Sequence, residues 1–225
     1  MIIAIDGPSG AGKSTLGRRL ARALDLLYID TGAMYRAVAL AVLNSGVSTM
    51  DAESVAAVAG RARVELEGDP DSLQVLLDGR DVSSEIRNED VTHTSSVISA
   101  IPEVRRILVE RQREMGRRGG VVLEGRDIGT VVFPNADFKF FLTAGPEARA
   151  ARRYEEDRLR ERDATYEETL ADINARDLRD STREDSPLSI APDAIVIDST
   201  ELSIDEVFER MMAEIGERAG KGAES

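Results

Sequence analysis

Short apolar runs recur along the chain and alternate with stretches in which apolar residues return every three or four positions. Runs of the first kind predict buried strands, and stretches of the second kind predict amphipathic helices. The first run, residues 2–6, is followed by glycines and then by a helical pattern from Lys13 that places Leu16, Leu20 and Leu24 on one face. Similar runs lie at 26–30, 121–124, 138–142 and 194–198. Five strands that alternate mostly with helices predict a parallel sheet covered on both faces.

One segment departs from this alternation. Residues 63–78 contain two strand-like runs around a Gly-Asp-Pro-Asp turn, with no helix to make a crossover, and this pattern predicts an antiparallel insertion. Two late helices are predicted to begin with capping boxes, Thr165 with Glu168 and Ser203 with Glu206. The last residues, 219–225, have little apolar surface to bury and are expected to form a frayed tail.

Length and composition narrow the classes of protein that the chain can belong to. At 225 residues, with 42% hydrophobic and 32% charged residues, it suits one α/β unit with excursions. The absence of cysteine excludes disulfides and cysteine-ligated metals. We find no basic leader and no apolar run long enough for a membrane span, so a cytoplasmic location is expected.

The formal net charge of −13 argues against a protein that binds nucleic acid or an anionic membrane. An anionic small molecule would have to be attracted locally. Basic residues are concentrated at 149–162 and 176–183. From charge alone, solvated helix faces with ion pairs four residues apart are the favoured interpretation of these stretches.

The glycine-rich turn after the first predicted strand carries a specific motif. Residues 7–14 read GPSGAGKS, which matches G-x-x-x-x-G-K-[ST] between a strand and a helix, as phosphate-binding loops require. Backbone N–H groups of such a loop and the following helix N-terminus hold triphosphate oxygens. Lys13 would reach the β and γ phosphates of ATP, and the Ser14 hydroxyl would be a ligand of Mg²⁺. A glycine-rich turn that arose by chance is the alternative. The predicted ATP-binding residues are Gly7, Pro8, Ser9, Gly10, Ala11, Gly12, Lys13, Ser14 and Thr15.

A phosphate-binding loop identifies the phosphoryl donor but not the acceptor, so a metabolite kinase and a GTPase-type switch both have to be considered. A switch would need a guanine-reading N-K-x-D segment, which the sequence lacks. Clustered arginines favour the kinase, because transfer between two phosphates brings several negative charges together.

Several further segments resemble the bacterial cytidylate kinase family, and the similarity runs nearly the whole length. They read DTGAMYRA (30–37), DVSSEIR (81–87), SVISAIPEVRRILVERQR (96–113), EGRDIGTVVFPNA (124–136), RDLRDSTR (176–183) and IVIDST (195–200). The resemblance implies phosphorylation of CMP and dCMP by ATP with Mg²⁺. It also implies an α/β P-loop fold of three layers with a five-stranded parallel sheet, a helical lid and a small antiparallel β insertion.

The same resemblance implies a division of one kinase unit into three parts. The core would comprise about 1–30, 116–148 and 186–218, the acceptor-binding part with the β insertion about 31–115, and the lid about 149–185. We expect a monomer whose partners are the small-molecule nucleotides ATP and CMP or dCMP.

The resemblance also implies roles for individual residues. Arg36 would grip the acceptor phosphate with Thr31 nearby, Ser96, Arg105 and Asp127 would face the base, and Arg126 would meet the acceptor phosphate. Asp180 would take ribose hydroxyls, with Arg176 and Arg183 beside the sugar or phosphates, and Arg152 and Arg153 would begin the lid arginines. The expected catalytic residues are Lys13, Arg126, Arg153 and Arg183.

Two of these assignments have structural alternatives that the sequence alone leaves open. Arg105 could belong to a solvated basic helix, and Asp127 could be a turn residue or a cap. The single histidine, His93, lies in a polar stretch and is given no role.

Overall fold

The computed structural model describes residues 1–159 and 164–222. Its main sheet has five parallel strands in the order β2-β6-β1-β7-β8, which confirms the predicted parallel sheet. These strands are β1 (Ile2–Asp6), β2 (Leu27–Asp30), β6 (Val121–Gly125), β7 (Phe138–Thr143) and β8 (Ile195–Asp198).

The helices are α1 (Lys13–Ala23), α2 (Thr31–Ser45), α3 (Ala52–Arg61), α4 (Glu89–Ile98), α5 (Pro102–Gly116), α6 (Pro146–Leu159), α7 (Tyr166–Thr182) and α8 (Ile204–Gly222). Both capping boxes are present: Thr165 and Glu168 exchange hydrogen bonds at the start of α7, and Ser203 and Glu206 do so before α8. Within the described ranges, no helix is both long and apolar enough to cross a membrane.

Two apolar cores lie on opposite faces of the sheet. Along β1, Ile3 and Ile5 pack towards α1 and α8, whereas Ala4 packs towards α2 and α5. This alternation follows from the two-residue period of a strand, and helices on both faces bury both sets of side chains. The result is the three-layer arrangement predicted from the sequence.

The predicted insertion is an antiparallel sheet of β3 (Val64–Glu67), β4 (Gln74–Leu77) and β5 (Arg80–Asp81). The sequence pattern predicted the first two strands and missed the two-residue third one. Val64, Val75 and Leu77 pack into the core beside α2, so the insertion is continuous with that core.

Strand order decides where polar side chains can meet. In the register of the sheet, Asp30 at the end of β2 lies beside Glu124 of β6, and Asp6 at the end of β1 lies beside Gly125. The carboxyl ends of these strands therefore place three carboxylates at the edge where the glycine-rich loop begins. This edge is the usual position of a binding site in an open parallel sheet.

Candidate active site

The glycine-rich loop has the tight geometry that its sequence predicted. Gly7 has φ +145°, and a Cβ atom there would lie 2.0 Å from the Leu142 carbonyl oxygen. Gly12 is left-handed, with φ +89°, immediately before α1. Side chains at these two positions would collide or strain the backbone, so glycine lets the loop curl tightly over the end of β7.

Lys13, the first residue of α1, is buried. Its Nζ donates to the Pro8 carbonyl oxygen at 2.6 Å, which folds the side chain back across the loop. Burial, reinforced by the nearby Arg126 guanidinium, lowers the pKa of Lys13 to about 7. The ammonium group would be stabilised by any anion that entered the loop.

The carboxylate of Glu124 faces the start of α1. Tyr28 Oη donates to it, and the nearby Ser14 hydroxyl acts to lower its pKa. Burial, together with the neighbouring Asp30 carboxylate, raises the pKa of Glu124. Two carboxylates and a hydroxyl form a set of hard oxygen donors of the kind that Mg²⁺ prefers.

The site residues therefore fit Mg²⁺ held together with phosphate oxygens. They do not form a protein-only metal cage, because the described ranges contain no group of three or more His, Cys, Asp or Glu residues suited to a metal.

Asp6 fixes the turn that follows β6. Its carboxylate accepts hydrogen bonds from the backbone N–H groups of Ile128 at 2.8 Å and Gly129 at 2.7 Å. Burial raises the pKa of Asp6 to about 6, against the opposing effect of these two donors. The contacts position the preceding residues, Arg126 and Asp127, above the end of the sheet.

Arg105 and Asp127 form a buried ion pair. Arg105 Nη2 donates to the Asp127 carboxylate, and its Nη1 donates to Tyr35 Oη at 3.4 Å. Arg183 approaches the other Asp127 oxygen at 3.9 Å. Burial raises the pKa of Asp127, and the Arg105 and Arg183 guanidiniums oppose that shift. The geometry brings together two of the three residues predicted to face the base, and it rules out the solvated alternative for Arg105, whose side chain is only 2% exposed.

A second buried pair joins the turn after β6 to α7. Arg126 Nε donates to the Asp180 carboxylate at 2.7 Å, and Arg176 lies 4.0 Å from the same oxygen. Burial acts to raise the pKa of Asp180, but the Arg126 and Arg176 guanidiniums hold it below its usual value. Burial and the nearby Arg126 charge lower the pKa of Arg176 to about 9. An added anion would stabilise this concentration of positive charge.

Thr31 and Arg36 stand at the start of α2, whose N-cap is Asp30. The Thr31 hydroxyl donates to the Glu124 carbonyl oxygen at 2.6 Å, and Arg36 pairs with the Asp30 carboxylate at 3.1 Å. Asp30 and Arg36 also line a cavity of about 50 Å³ beneath the insertion. Both residues therefore contact the carboxyl ends of β2 and β6.

Several guanidinium groups keep buried N–H donors without hydrogen-bond partners in the part of the chain that the structure describes. At this site they are Nε of Arg36, Arg105 and Arg176, and Nη2 of Arg183; Arg111 Nη1, on α5 beside α3, is a further such donor elsewhere. Buried donors are rarely left unsatisfied in proteins, because the loss of hydration costs about 1–3 kcal/mol each. Their concentration at one site indicates a polar, anionic ligand.

The arginines of α6 differ from one another in burial and in hydrogen-bond partners. Arg149 is buried and joins the Ser9 carbonyl oxygen at 3.1 Å to the Asp177 carboxylate at 2.7 Å. Arg152 donates to the Ser199 and Thr200 carbonyl oxygens after β8. Arg153 is half-exposed and pairs with Asp157 on its own helix. Residues 160–163, which include two further arginines of the predicted lid, lie outside the described residues.

Sequence reasoning missed several residues that build the site. Asp6 and Glu124 end apolar runs and gave no separate signal, and Tyr35 and Arg149 lie in patterns typical of core or solvated helix. Arg179 donates from Nε to Ser96 Oγ at 3.0 Å. Its spacing from Arg176 and Arg183, three and four residues, could have identified it.

Comparisons with known proteins point to one family over nearly the whole chain. The protein family described as Cytidylate kinase matches residues 3–217. A cytidylate kinase of Caldanaerobacter subterraneus subsp. tengcongensis is 52% identical, over 93% of this chain and 92% of the relative. A cytidylate kinase of Geobacter sp. strain M21 is 49% identical, over 99% of this chain and 95% of the relative.

Solved structures extend the comparison to the fold. An uncharacterized protein from Eubacterium ventriosum aligns with a TM-score of 0.55 and 11% identity, over 96% of this chain and 98% of that one. Shikimate kinase from Bacteroides thetaiotaomicron aligns with a TM-score of 0.51 and 14% identity, over the same shares. At such identities the likeness concerns the fold alone.

Proposed function

The chain belongs to the cytidylate kinase family, and on that premise we propose how its site transfers the γ-phosphoryl group of ATP to CMP or dCMP. The enzyme is a nucleoside monophosphate kinase that forms CDP and dCDP. One observation carries the residue assignment: buried guanidinium donors without partners converge beside a phosphate-binding loop.

The donor triphosphate binds in the loop of residues 7–15. Backbone N–H groups there and the N-terminus of α1 hold its oxygens. Lys13 exchanges the Pro8 carbonyl oxygen for the β and γ phosphates, which satisfies a buried cation with anions. Ser14, with Glu124 behind it, would hold Mg²⁺. When bound, the ion supplies positive charge against the phosphate oxygens of the donor.

The acceptor phosphate is gripped by Arg36 and Arg126, with the Thr31 hydroxyl at its side. Both arginines are held by carboxylates, Asp30 and Asp180 respectively, and both keep donors that these carboxylates do not occupy. Pairing fixes their positions before substrate arrives. A fork of parallel N–H groups suits a phosphate better than a point charge. Asp180 then serves the ribose hydroxyls with Arg176 and Arg183 beside it.

The base lies against Ser96, Arg105 and Asp127. Cytosine presents an exocyclic amine donor next to the N3 and O2 acceptors, so a carboxylate and a guanidinium form a complementary edge. The ion pair between Arg105 and Asp127 holds that edge ready. Uracil offers a carbonyl in place of the amine and an N–H in place of the N3 acceptor, so it mispairs with the Asp127 carboxylate and with any donor that faces N3.

The transfer itself requires no side-chain base. A phosphate oxygen of CMP, anionic near neutral pH, attacks the γ phosphorus as its bond to the bridging oxygen of ADP breaks, and the charge passes to ADP. Lys13, Arg126, Arg153 and Arg183 stabilise the shifting charge. A lid of about 149–185 closes on both substrates and excludes water, while about 31–115 carries the acceptor and the remaining segments form the core.

We further propose that the enzyme acts as a cytoplasmic monomer. Light scattering during size-exclusion chromatography checks the monomer, and cell fractionation checks the compartment.

A coupled assay of ADP release tests the assignment. With ATP and Mg²⁺, the acceptor panel should include CMP, dCMP, UMP, AMP, GMP and dTMP, together with shikimate and gluconate because shikimate kinase shares the fold. CMP and dCMP should be the best acceptors.

Lys13→Ala should lower kcat by orders of magnitude because its charge acts mainly on the transition state. Near-normal turnover in this variant would overturn the role of the loop.

A further inference from the structure

Arg179 reaches from α7 to a different part of the site. Its Nε donates to Ser96 Oγ at 3.0 Å, and Ser96 is buried on α4. On α7, positions 176, 179 and 180 recur at three- and four-residue spacing and therefore share one face, and Arg183 is the C-cap residue. Arg179 thus links the helix that carries Asp180 to the residue assigned to the base.

The hydroxyl of Ser96 differs from its neighbours on α4. The Ser95 hydroxyl donates to the Thr92 carbonyl oxygen at 2.8 Å, and the Ser99 hydroxyl donates to the Ser96 carbonyl oxygen at 2.8 Å. Such bonds are the common choice for serine in a helix. In the described part of the chain, the Ser96 hydroxyl accepts from Arg179 and donates to no protein group.

A serine hydroxyl has one proton to donate and lone pairs to accept. Because a guanidinium has donors and no acceptor, Arg179 can only engage the lone pairs of Ser96. The hydroxyl proton is therefore directed away from Arg179. Without Arg179, the same hydroxyl could rotate and either donate to a ligand or accept from it.

We propose that Arg179 is a positioning residue that fixes Ser96 as a hydrogen-bond donor towards the pyrimidine and so favours cytosine over uracil. The proposal rests on the proposed placement of the base against Ser96. Cytosine N3 is an acceptor and receives the hydroxyl proton, whereas uracil carries an N–H there and would meet a second donor.

Substitutions of Arg179 by unbranched side chains of similar length separate the effect of its hydrogen bond from the effect of its size. Arg179→Gln keeps an N–H donor at the same number of bonds from the backbone, Arg179→Glu places an acceptor there, and Arg179→Met removes hydrogen bonding. The measurement is kcat/KM for CMP and for UMP. Met and Glu should narrow the CMP/UMP ratio about threefold to tenfold, the worth of one hydrogen bond, mainly by lowering CMP. Gln should retain most of the ratio.

Arg106→Gln is the matched control, because Arg106 is an exposed arginine of α5 paired with Glu103 and should leave the ratio unchanged. Circular dichroism and thermal unfolding establish that each variant is folded. If Met does not fold, the comparison of Gln with Glu decides. Equal ratios in Gln and Glu, or an equal loss for both nucleotides in Glu, would overturn the proposal.

A double-variant cycle with Ser96→Ala distinguishes this proposal from the one it rests on. Ser96→Ala should narrow the ratio by itself, and Arg179→Met should then have no additional effect. If Ser96→Ala narrows the ratio but Arg179→Met does not, only the role of Arg179 fails. If Ser96→Ala leaves the ratio unchanged, the placement of the base fails as well.

Discussion

Arg105 and Arg126 are each paired with a buried aspartate. The pairing fixes the position of the guanidinium group before a ligand binds. A buried ion pair has a high desolvation cost, and removing one partner is more harmful than replacing both. In each pair here, the carboxylate orients a guanidinium, and Arg105 keeps a buried Nε donor without a partner. These arginines are therefore held in position at the cost of stability, as functional sites commonly are.

Asp127→Asn is expected to reduce the preference for CMP. The amide can present either a donor or an acceptor to the base, and it leaves Arg105 without a charged partner in a buried site. The wild type should favour CMP over UMP by at least about tenfold to a hundredfold in kcat/KM, and the variant should narrow that ratio chiefly by harming CMP. Steady-state kinetics with both nucleotides measures the change.

The control for Asp127→Asn is Glu103→Gln, which breaks an exposed ion pair on the same helix as Arg105. It should leave the ratio intact, because such a pair contributes little. An unchanged ratio in Asp127→Asn would remove Asp127 from base recognition. A wild type that prefers a purine nucleotide would reject the base site altogether.

The depressed pKa of Lys13, about 7, predicts that ATP binding takes up protons. In the free enzyme the amine is largely neutral above pH 7, and bound phosphates favour its charged form. Affinity should therefore fall as pH rises above 7, and calorimetry at pH 8 in buffers of different ionisation enthalpy should detect proton uptake. Lys13→Gln should abolish this uptake. Proton release by the wild type, or equal uptake by the variant, would contradict the prediction.

The lowered pKa of Lys13 also makes the stability of the fold depend on pH. The sign is opposite to that for a lysine in an ion pair, whose pKa is raised. Between pH 7 and the usual lysine value of 10.5, the unfolded chain binds the proton that native Lys13 has lost. Raising the pH through this window therefore stabilises the fold relative to Lys13→Gln. Below pH 7 both states are protonated and the cost of burying the charge is present in full. Urea unfolding of both proteins from pH 6 to 9 tests this sign.

The roles that could be predicted from the sequence are those of residues that lie in one contiguous motif. The glycine loop is contiguous, so its geometry and the positions of Lys13 and Ser14 follow from the motif. Asp6 and Glu124 act through long-range pairing of strands, and no local pattern distinguishes them from ordinary strand ends. Arg105 and Asp127, 22 positions apart, could be joined only through the resemblance.

At the scale of elements, α7 is the helix on which most of the site converges. Its one face carries Arg176, Arg179 and Asp180, whose partners lie on the turn after β6 and on α4. Its Asp177 pairs with Arg149 at the start of α6, beside the glycine loop. A shift of α7 would thus change the acceptor site and the donor site together.

Residues 149–162, which begin in α6, are expected to gain protection from hydrogen exchange when both substrates bind. So dense a basic stretch in an acidic protein suits temporary neutralisation of phosphates, and Arg153 is half-exposed and available to move. Hydrogen exchange with and without a bisubstrate analogue measures the change, and protection should rise across the segment. The helix α3 serves as a control, because it lies apart from the assigned residues. Unchanged protection across 149–162 would count against the lid.

Element prediction succeeded where a single period dominated. The five core strands and the capping boxes were predicted within a residue or two, because buried runs and paired polar residues are local signals. The third strand of the insertion was missed because Arg80–Asp81 is too short and polar to show alternation. The π-helical turn at Ile128–Val132 was also missed; the Asp6 carboxylate, which is distant in sequence, holds its first N–H groups.

At the scale of the whole molecule, an acidic body has to bind acidic substrates. A unit charge about 4 Å from a guanidinium near a protein surface interacts by about 4 kcal/mol, whereas one about 20 Å away through water contributes about 0.2 kcal/mol before screening. The net charge of −13 is spread over the surface, while the site arginines lie close together. Local attraction should therefore outweigh the repulsion of the body.

This balance predicts that CMP binds more weakly as salt increases. Between roughly 0.05 and 0.5 M potassium chloride, KM for CMP should rise by about two- to fivefold, because ions screen the site while the distant charges already matter little. Cytidine, which lacks the phosphate, is the matched control, and its inhibition constant should change little over the same range. A KM for CMP that falls with salt would mean that repulsion by the body dominates. An equal change for cytidine would trace the effect to salt acting on the base site instead of on the phosphate-binding arginines.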